Sequence, residues 1–411
     1  MTMDEKTFAL RISDMGGRAY FAGGYVRDAV MGREPHDRDY VVCGVAEDVF
    51  LEGFPGAFKV GGSFPVFLLL VGEEICEVAF ARTEKKIGRG YRGFAAEFSP
   101  DVTIEDDLYR RDTTMNSMAL SLLGGDLIDP YGGRDDIKNK IIRATSEHFM
   151  DDPVRALRAA RQSAQFGFVI DHVTLKMMEA CGPEVSAEPK ERILAETEKA
   201  LAADKPSIYF RALNNSHLLK IVFPWIYALI GKTQPPEYHP EGDAFEHTMM
   251  VLDDVARRCP RVEVRFAALM HDVGKGVTPD DMLPHHYGHE ANGLTVLHDI
   301  NRTLTLPRKW YKCAEFAIRE HMRPAKIKQP GKVVDLLVRL EKHPIGADGF
   351  AAIIAADNGG EQADCLLNYE RYMSAIKRAH DCTPPEKLSG AAIGEWIRQR
   401  EIEEYRKEAG Q

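Results

Sequence analysis

The sequence predicts an α+β protein in which a small, mixed β-sheet head of about 140 residues precedes a mostly α-helical body. Short runs of β-branched and aromatic residues, separated by Gly-rich turns, lie in the first part of the chain at 20–22, 39–43, 66–71 and 75–81. Such runs favour strands. From about residue 145, apolar residues recur at helical spacing, and prolines interrupt the pattern at intervals. This change of period marks the end of the head.

Length and composition indicate a globular protein of several domains. The chain has 411 residues, too many for one ordinary hydrophobic core, and 44% of them are hydrophobic and 28% charged. We expect four segments: the sheet head at 1–140, a helical region at 141–230, an all-α domain at 231–375 and a helical C-terminal tail at 376–411.

Cysteine content, hydropathy and charge limit the compartment and the partners. The seven cysteines form no C-x-x-C pair, so neither a zinc site nor a disulfide framework is expected. No apolar run has the length of a membrane span and no signal peptide is recognisable, which favours a cytoplasmic protein without a membrane partner. The net charge of −10 argues against a surface coated in nucleic acid. Local basic clusters at 82–92 and 143–161 could still grip single phosphates, or be solvated faces.

A glycine turn at Gly23–Asp28 is the first candidate functional motif. Two glycines follow an apolar strand and open a helix, which frees backbone N–H groups to face a phosphate. Further on, Asp37 and Asp39 begin another strand, and their carboxylates point to one side while Arg38 points to the other. Two hard oxygen ligands beside a phosphate cradle suit Mg²⁺-assisted phosphoryl or nucleotidyl transfer. Either motif alone is commonly a turn or a strand end.

Two further segments of the head leave alternatives open. Glu77 lies in an otherwise apolar strand, where a carboxylate either joins Asp37 and Asp39 as a third acid or faces water from an edge strand. The Gly-rich, basic segment 84–94 predicts either a mobile loop that closes over a triphosphate or a plain hairpin loop.

A charged motif of the form R-R-D-x-x-x-N follows at 110–116. Arg111, Asp112 and Asn116 could share one cluster at a helix end. Arg111 suits triphosphate oxygens, and Asn116 suits a ribose or a phosphate. An ordinary salt-bridged helix would show the charges without this order.

These motifs, followed by D-P-Y-G-G at 129–133, occur in an order that resembles the nucleotidyltransferase superfamily containing DNA polymerase β. Within it they are similar to the class II tRNA nucleotidyltransferases, which include the CCA-adding enzymes and the bacterial poly(A) polymerases. The resemblance implies a polymerase β-like head in which Asp37 and Asp39 hold Mg²⁺ and Glu77 is a further catalytic acid. It also implies nucleotide binding by Gly24, Arg27, Arg111, Asp112 and Asn116.

The family's next motif matches D-D-x-x-R at 151–155, where a helix acts as a protein template for the incoming base. The resemblance implies that Asp152 and Arg155, with Arg158 one turn on, select CTP or ATP. The chemistry agrees, because Asp152 can accept from an exocyclic amine and Arg155 can donate to a ring nitrogen or carbonyl. A simple i,i+3 salt bridge between Asp152 and Arg155 is the alternative.

The motif that follows in the family matches residues 190–196. There Arg192 and Glu196, one helical turn apart, would brace the template helix.

Histidines and acids cluster in the C-terminal half. His247 stands at an expected helix start, the adjacent pair His271 and Asp272 follows, and Asp357 lies far downstream. This H…HD…D order is similar to that of the HD phosphohydrolase superfamily. Imidazole and carboxylate together suit a divalent transition metal for phosphoester hydrolysis, with Ni²⁺ as one candidate. A metal-free, degenerate HD domain is the alternative.

Other residues near this motif are weaker candidates. Lys275 could contact a substrate phosphate, and His289 and His321 could hold a second metal or a phosphate. A lone histidine on a helix is more often structural.

An HD domain behind a class II head resembles the multifunctional bacterial members of the CCA-adding family over essentially the whole chain. The resemblance implies addition of C, C and A to the 3′ end of tRNA from CTP and ATP, by a monomer or homodimer. It further implies 2′,3′-cyclic phosphodiesterase, 2′-nucleotidase and phosphatase activities of the HD domain. A poly(A) polymerase, a partial CC- or A-adding enzyme and a regulatory protein with relict sites are the alternatives.

Overall fold

The computed structural model describes residues 3–35, 38–60, 66–88 and 93–410. Over these residues the predicted α+β class is confirmed, with a mixed sheet near the N-terminus and helices in the remainder. No helix in the described ranges is both long and apolar enough to cross a membrane.

The chain divides into two compact units. Unit 1 comprises Met1–Thr197 together with Ile208–Val222, and unit 2 comprises Glu198–Ser207 together with Phe223–Gln411.

Unit 1 contains the sheet head. Its strands are β1 Arg18–Ala22, β2 Asp39–Cys43, β3 Phe58–Val60, β4 Val66–Val71, β5 Glu74–Phe80, β6 Arg82–Lys86, β7 Phe94–Phe98, β8 Ala119–Ser121, β9 Leu127–Ile128, β10 Ile141–Ile142 and β11 Val169–Ile170. The main sheet has seven strands in the order β3-β4-β5-β2-β1-β8-β9. Within it β2 and β5 are parallel, and the other neighbouring pairs are antiparallel.

The first helices of the chain surround this sheet or follow it. They are α1 Glu5–Asp14, α2 Gly24–Val30, α3 Glu47–Gly53, α4 Ile104–Tyr109, α5 Gly133–Asn139, α6 Val154–Phe166, α7 His172–Ala180, α8 Gly182–Val185, α9 Lys190–Leu201, α10 Ser207–Asn215 and α11 Leu219–Val222. Local signals define their ends. Thr103 and Asp106 form a reciprocal capping box at the start of α4, and Gly167, with φ of 70°, ends α6.

The sheet is buried on both faces because apolar side chains alternate along the central strands. Phe21 and Tyr40 join a core with Phe8 of α1 and Phe50 of α3. Tyr20, Val41 and Ala119 join a separate core with Leu108 of α4 on the opposite face. A half-exposed sheet would alternate apolar with polar residues instead.

Unit 2 is helical. Its further helices are α12 Pro224–Tyr227, α13 Ala244–Arg258, α14 Val262–Met270, α15 His289–Leu304, α16 Arg308–Glu320, α17 Pro330–Glu341, α18 Gly346–Asp357, α19 Asp364–Leu367, α20 Tyr369–Arg378 and α21 Ala391–Ala409. Residues from α13, α14, α16, α17, α18, α20 and α21 share one apolar core. The buried Arg265 donates to the carbonyls of Leu201, Ala203, Ala256 and Cys259, which ties the 198–207 segment to this unit.

Two sequence-based expectations need correction. Strands β6 and β7 pair as an antiparallel hairpin, so the mobile-loop interpretation of 84–94 is wrong for the paired residues, while 89–92 lie outside the described part. The edge-strand alternative for Glu77 is also wrong in its strand position, because β5 lies between β4 and β2, although the side chain is exposed. The short parallel pair β10 and β11 was missed, since two-residue strands leave no periodic signal.

A buried carboxylate organises the turn after α4. Asp107 is fully buried, and its two oxygens accept from Arg110 Nη2 at 2.5 Å and from Arg111 Nη2 at 2.9 Å. Burial alone would raise the pKa of Asp107, but the two guanidinium groups outweigh it and lower the pKa to about 2. The ionised form is therefore part of the folded head.

We expect Asp107 to make the head sensitive to acid. Its pKa is below the unfolded value of about 3.9, so its contribution of roughly 2 kcal/mol is present above about pH 4 and is lost as pH falls through about 2. Urea unfolding of the wild type and of Asp107→Asn between these values should show a shallower pH slope for the variant. The exposed Asp135→Asn is the control and should follow the wild type. Parallel slopes for wild type and Asp107→Asn would contradict the assignment.

Candidate functional site

The first candidate site lies at one end of the main sheet, where Asp39 of β2 pairs in register with Glu77 of β5. Residues paired across a ladder project from the same face, and both side chains are exposed. Along β2, Tyr40 belongs to one core and Val41 to the other. Asp39 therefore lies on the Val41 face, which α4 covers.

Asp37, the other predicted metal ligand of the head, lies outside the described residues. Its neighbour Arg38 forms ion pairs with Glu5 at 3.4 Å and Glu74 at 3.8 Å. The hydroxyl of Tyr40 donates to the same Glu5 carboxylate at 3.1 Å. Arg38 thus lies on the Tyr40 face, opposite Asp39, as strand alternation predicts.

The glycine turn lies beside these acids. The register of β1 with β2 places Ala22 next to Asp39, and Gly23 follows with φ of 73° and ψ of −127°, a conformation that favours glycine. A Cβ at Gly23 would lie only 2.7 Å from Nη1 of Arg111. Nε and Nη2 of Arg111 donate to Asp107 at 3.1 and 2.9 Å. The Nη1 group is therefore the part of Arg111 that faces the turn.

A chain of hydrogen bonds links the glycine turn to the predicted template helix. In α2, which begins at Gly24, Arg27 Nη1 donates to Oδ1 of Asn116 at 2.9 Å. The amide of Asn116 donates to Oδ1 of Asp112 at 3.0 Å, and Arg158 Nε donates to Oδ2 of Asp112 at 2.8 Å. Burial raises the pKa of Asp112, but Arg158 and Asn116 lower it by more than burial raises it. The net pKa is below the usual value, so the carboxylate is ionised. Asp112 thus acts within the protein as an anchor for Arg158.

The two predicted base-selecting residues are held by other parts of unit 1. Asp152 Oδ2 accepts from Arg192 Nη2 at 2.7 Å. Arg155 donates to the carbonyl of His148 at 2.5 Å and contacts Glu84 Oε2 at 3.3 Å. No ion pair joins Asp152 to Arg155 in the described ranges, so the i,i+3 salt-bridge alternative is wrong. Both groups keep donor or acceptor capacity for a base edge.

The bracing contacts expected of the 190–196 motif are present. Arg192 contacts Asp152, and Glu196 accepts from Arg161 of α6 at 2.5 Å. The arginines of the 143–161 cluster do not form an open basic path, because each pairs with a carboxylate of unit 1: Arg143 with Asp136, Arg155 with Glu84, Arg158 with Asp112 and Arg161 with Glu196.

Glu84 contacts three arginines, a set of ion pairs that the sequence did not predict. Its carboxylate is 7% exposed and contacts Arg82 at 3.0 Å, Arg110 at 2.9 Å and Arg155 at 3.3 Å. Arg155 is 71 residues away in the chain, so no local spacing could have indicated the contact.

The second candidate site lies in unit 2, where four predicted residues converge. His247 belongs to α13, His271 and Asp272 follow α14 directly, and Asp357 ends α18. Their candidate ligand atoms all lie within 4.8 Å of one another. His247 Nε2 is 3.0 Å from Asp357 Oδ1, and His271 Nε2 is 3.2 Å from Asp272 Oδ2.

The donor set fits a divalent cation. His271 and Asp272 are at most 1% exposed, and among the described residues His271 Nε2 and both carboxylate oxygens of Asp272 lack a hydrogen bond, although Lys275 and histidines lie at ion-pair distance from the carboxylate. Buried polar atoms are rarely left unsatisfied without a reason. Oxygen and imidazole-nitrogen ligands converging on one point would be satisfied by a divalent ion.

A second group of possible ligands shares Asp272. His289 Nε2 and His321 Nε2 lie 3.3 and 3.4 Å from Asp272 Oδ1, and 3.2 Å from each other. Asp272 thus turns Oδ2 toward the first group and Oδ1 toward the second. The three residues are buried.

Lys275 lies beside the same carboxylate. Its ammonium is 2.6 Å from Asp272 Oδ2 and donates to Oε1 of Gln234 at 2.5 Å. The side chain is buried, so in this arrangement Lys275 is first a counterion of Asp272.

Charge balance keeps the acids ionised. Burial raises the pKa of Asp272, yet Lys275 and His271 hold it well below the usual value. Burial also raises the pKa of Asp357, and His247 and His271 lower it more. In return, Asp272 and Asp357 raise the pKa of His271 to about 10 against the opposing effect of burial. Two ionised carboxylates in a buried site attract a cation.

Glu241 and His239 are site residues that sequence reasoning missed. Glu241 Oε1 lies 2.6 Å from His247 Nδ1 and 3.2 Å from His239 Nδ1. His247 thus faces Glu241 with one nitrogen and Asp357 with the other. Metal-binding histidines are commonly oriented by such a carboxylate. The acid six residues before His247 was the available signal.

Comparison with protein families and known proteins agrees with this architecture. Residues 19–143 match the poly A polymerase head domain, 167–229 match the family described as "Probable RNA and SrmB- binding site of polymerase A", and 244–378 match the HD domain. The fold is similar to that of the Bacillus stearothermophilus CCA-adding enzyme in complex with CTP, with a TM-score of 0.67 and 23% identity, covering 98% of this chain and 91% of that one.

Two relatives span nearly the entire chain. The multifunctional CCA protein of Acinetobacter baylyi is 38% identical over 404 residues, which cover 94% of this chain and 96% of the relative. That of Methylococcus capsulatus is 40% identical over 415 residues, covering 95% of each. The chain therefore belongs to the family of multifunctional CCA proteins, enzymes in which a nucleotidyltransferase for CCA addition is joined to an HD phosphohydrolase domain.

Proposed function

We propose that this chain adds C, C and A in that order to the 3′ end of tRNA, using CTP and ATP without a nucleic-acid template. The observation that carries the proposal is the position of Asp39 and Glu77 beside the glycine turn, which hydrogen bonds link to α6. Similar solved enzymes are described with CTP and with a primer tRNA and an ATP analog, which supports these substrates.

The HD part of the chain is proposed to hydrolyse phosphoesters at RNA ends: 2′,3′-cyclic phosphates, 2′-nucleotides and other phosphate monoesters. The convergence of two histidines and two carboxylates with unsatisfied buried atoms supports it. The segments 1–140, 141–230, 231–375 and 376–411 are proposed as the functional divisions, and the cytoplasm as the place of action.

Divalent metals serve both reactions. We assign Mg²⁺ to Asp39 and Glu77 with Asp37, and a transition metal, with Ni²⁺ as one candidate, to His247, His271, Asp272 and Asp357. Bound there, the ions would supply Lewis acidity and charge neutralisation for phosphoryl chemistry.

In the head, this chain's own residues position the nucleotide. The Nη1 group of Arg111 faces the glycine turn and can donate to triphosphate oxygens, while Asp107 fixes the guanidinium from behind. Arg27 donates a hydrogen bond to Asn116, and both belong to the chain of hydrogen bonds that reaches the template helix. Asp152, two residues before α6, would accept from the exocyclic amine shared by cytosine and adenine, and Arg155 of α6 would donate to the ring. Uracil lacks that amine and would be rejected.

In the HD site, buried groups orient the ligands and the substrate. Glu241 fixes the ring of His247 through Nδ1, which leaves Nε2 directed at the ligand group. His289 and His321 line the Oδ1 side of Asp272, and Lys275 lies at Oδ2, where its ammonium can meet the negative charge of a phosphate. Burial lowers the pKa of His289, so its imidazole is available as a neutral ligand or acceptor near pH 7.

The head assignment predicts that Asp39→Asn lowers nucleotide incorporation by roughly 10²- to 10³-fold, because a metal ligand and its charge are lost. The assay uses tRNA lacking its last three residues, with CTP and ATP supplied singly and together, and reads the products at nucleotide resolution. We expect the wild type to add C, C and then one A.

The exposed Glu73→Gln, close to Glu77 in the chain, is the matched control and should keep wild-type activity. Unlimited addition of A would make the chain a poly(A) polymerase, and C-only or A-only products a partial enzyme. Full activity of Asp39→Asn would remove the assigned metal site.

The HD assignment predicts that Glu241→Ala lowers divalent-metal affinity by about 10- to 100-fold, because His247 loses its orienting carboxylate. Affinity is measured by calorimetric titration of Ni²⁺ into metal-stripped protein. Asp272→Ala should abolish metal-dependent hydrolysis of 2′,3′-cyclic AMP and leave CCA addition intact.

Glu237→Ala removes an exposed carboxylate four residues before Glu241 and is the control. Unchanged metal affinity in Glu241→Ala would contradict the orienting role, and unchanged hydrolysis in Asp272→Ala would contradict the site.

A further inference from the structure

A basic pocket opens on unit 2 beside the group formed by Asp272, His289 and His321. The cavity has a volume of about 470 Å³, and its lining includes Arg323, Lys326, Lys328 and Lys332 with one acid, Glu290. None of these residues has a role in the nucleotidyltransferase site or the HD ligand set described above.

The pocket is electrostatically unusual for this chain. From 321 to 334 the sequence has one arginine, three lysines and no aspartate or glutamate, whereas the whole chain has a net charge of −10. Lys326, Lys328 and Lys332 are exposed, and none lies within ion-pair distance of a carboxylate in the described ranges. The arginines at 143–161 are each neutralised by an acid, so an unneutralised cluster indicates an anionic ligand from outside the chain.

Arg323 is the fixed member of the cluster. It pairs with the buried Glu320, which also binds Arg339 at 3.0 Å. The three lysines are exposed cations around one anchored guanidinium, and such a cluster can bind the phosphate groups of a strand.

Two residues that line the pocket directly follow candidate ligands of the HD site in the sequence. Glu290 directly follows His289, and its Oε2 lies 3.7 Å from His289 Nδ1. Met322, another lining residue, directly follows His321. A molecule in the pocket would therefore lie next to a phosphoester held at Asp272.

We propose that this pocket binds the phosphodiester backbone of an RNA strand just upstream of the 3′-terminal phosphoester that the HD site hydrolyses. The inference rests on the proposed phosphohydrolase function and adds where the RNA strand upstream of the hydrolysed end is bound. Lysines without base-reading partners bind phosphates irrespective of sequence. Glu290 would repel a simple polyanion, but it can accept from the ribose hydroxyls that RNA presents along its strand.

The first test is independent of activity. A hexaribonucleotide ending in a 3′-phosphate, with 4-thiouridine next to the end, is irradiated with the full chain in EDTA, and the crosslinked peptides are mapped. We expect crosslinks within 322–332 that fall at least about fivefold in the triple variant Lys326→Ala, Lys328→Ala, Lys332→Ala. The control replaces Lys312, Lys342 and Lys387 with alanine, three exposed lysines of unit 2 outside the pocket, and should keep the wild-type yield.

The second test is kinetic. For a hexaribonucleotide with a 2′,3′-cyclic end, the triple variant should raise KM about tenfold and reduce the slope of log KM against log salt by about 2, as expected for three lost phosphate contacts on a single strand. For 2′,3′-cyclic AMP, which cannot reach the pocket and the HD site together, KM should change by less than about twofold.

The outcomes separate the two claims. If the wild type hydrolyses neither substrate, the phosphohydrolase proposal fails, and the crosslinks still decide whether the pocket binds RNA. Crosslinks outside 322–332, or equal yields in the two triple variants, would overturn the pocket assignment. Inorganic tripolyphosphate and unlabelled hexaribonucleotide are also added as competitors. If both reduce the crosslinking yield equally, the assignment is overturned, because the pocket would then accept any polyanion.

Discussion

The head depends on a set of buried carboxylates, each of which is paired with one or more arginines. Glu84, Asp107 and Asp112 are each less than a tenth exposed, and each contacts at least one guanidinium. Removing one partner of such a pair leaves a buried charge unbalanced, which typically costs about 3–5 kcal/mol. The pairs therefore hold their segments in a fixed position, although their net contribution to the free energy of folding need not be large.

These pairs connect parts of unit 1 that are distant in the sequence. Glu84 in the β6 strand holds Arg155 of α6, and Asp112 holds Arg158 one turn later. The helix that carries Arg155 is consequently fixed to the β6–β7 hairpin, which directly follows β5, the strand that carries Glu77. A protein that selects a base without a nucleic-acid template needs such a fixed distance, because the selecting groups must replace a paired strand. The HD site differs, because neither oxygen of Asp272 makes a hydrogen bond, and the negative charge that Lys275 balances there is available to a divalent cation.

The sequence was most informative where chemistry is carried by short motifs on regular elements. The strand over 39–43 and the helix after Gly23 were predictable from period and residue type, and the convergence of His247, His271, Asp272 and Asp357 from a motif order similar to that of the HD superfamily. The contacts of Glu84 and the orientation of His247 by Glu241 were not, because they join elements through tertiary packing. The sequence left a mobile loop and a hairpin both open at 84–94, because glycines and charges hide a strand pattern that cross-strand pairing stabilises. The roles proposed for the site residues stay predictions until activity is measured.

The most direct test of the account is the effect of Glu84→Gln on base selection. The variant keeps a hydrogen-bond acceptor but loses the charge that holds Arg155. On tRNA lacking its last three residues, we predict that discrimination between CTP and UTP, as the ratio of kcat/KM values, falls by about tenfold, while the Mg²⁺ requirement stays within about twofold. Glu97→Gln, on the exposed face of the same hairpin, should match the wild type. Unchanged discrimination in Glu84→Gln would contradict the claim that these buried ion pairs fix the template helix.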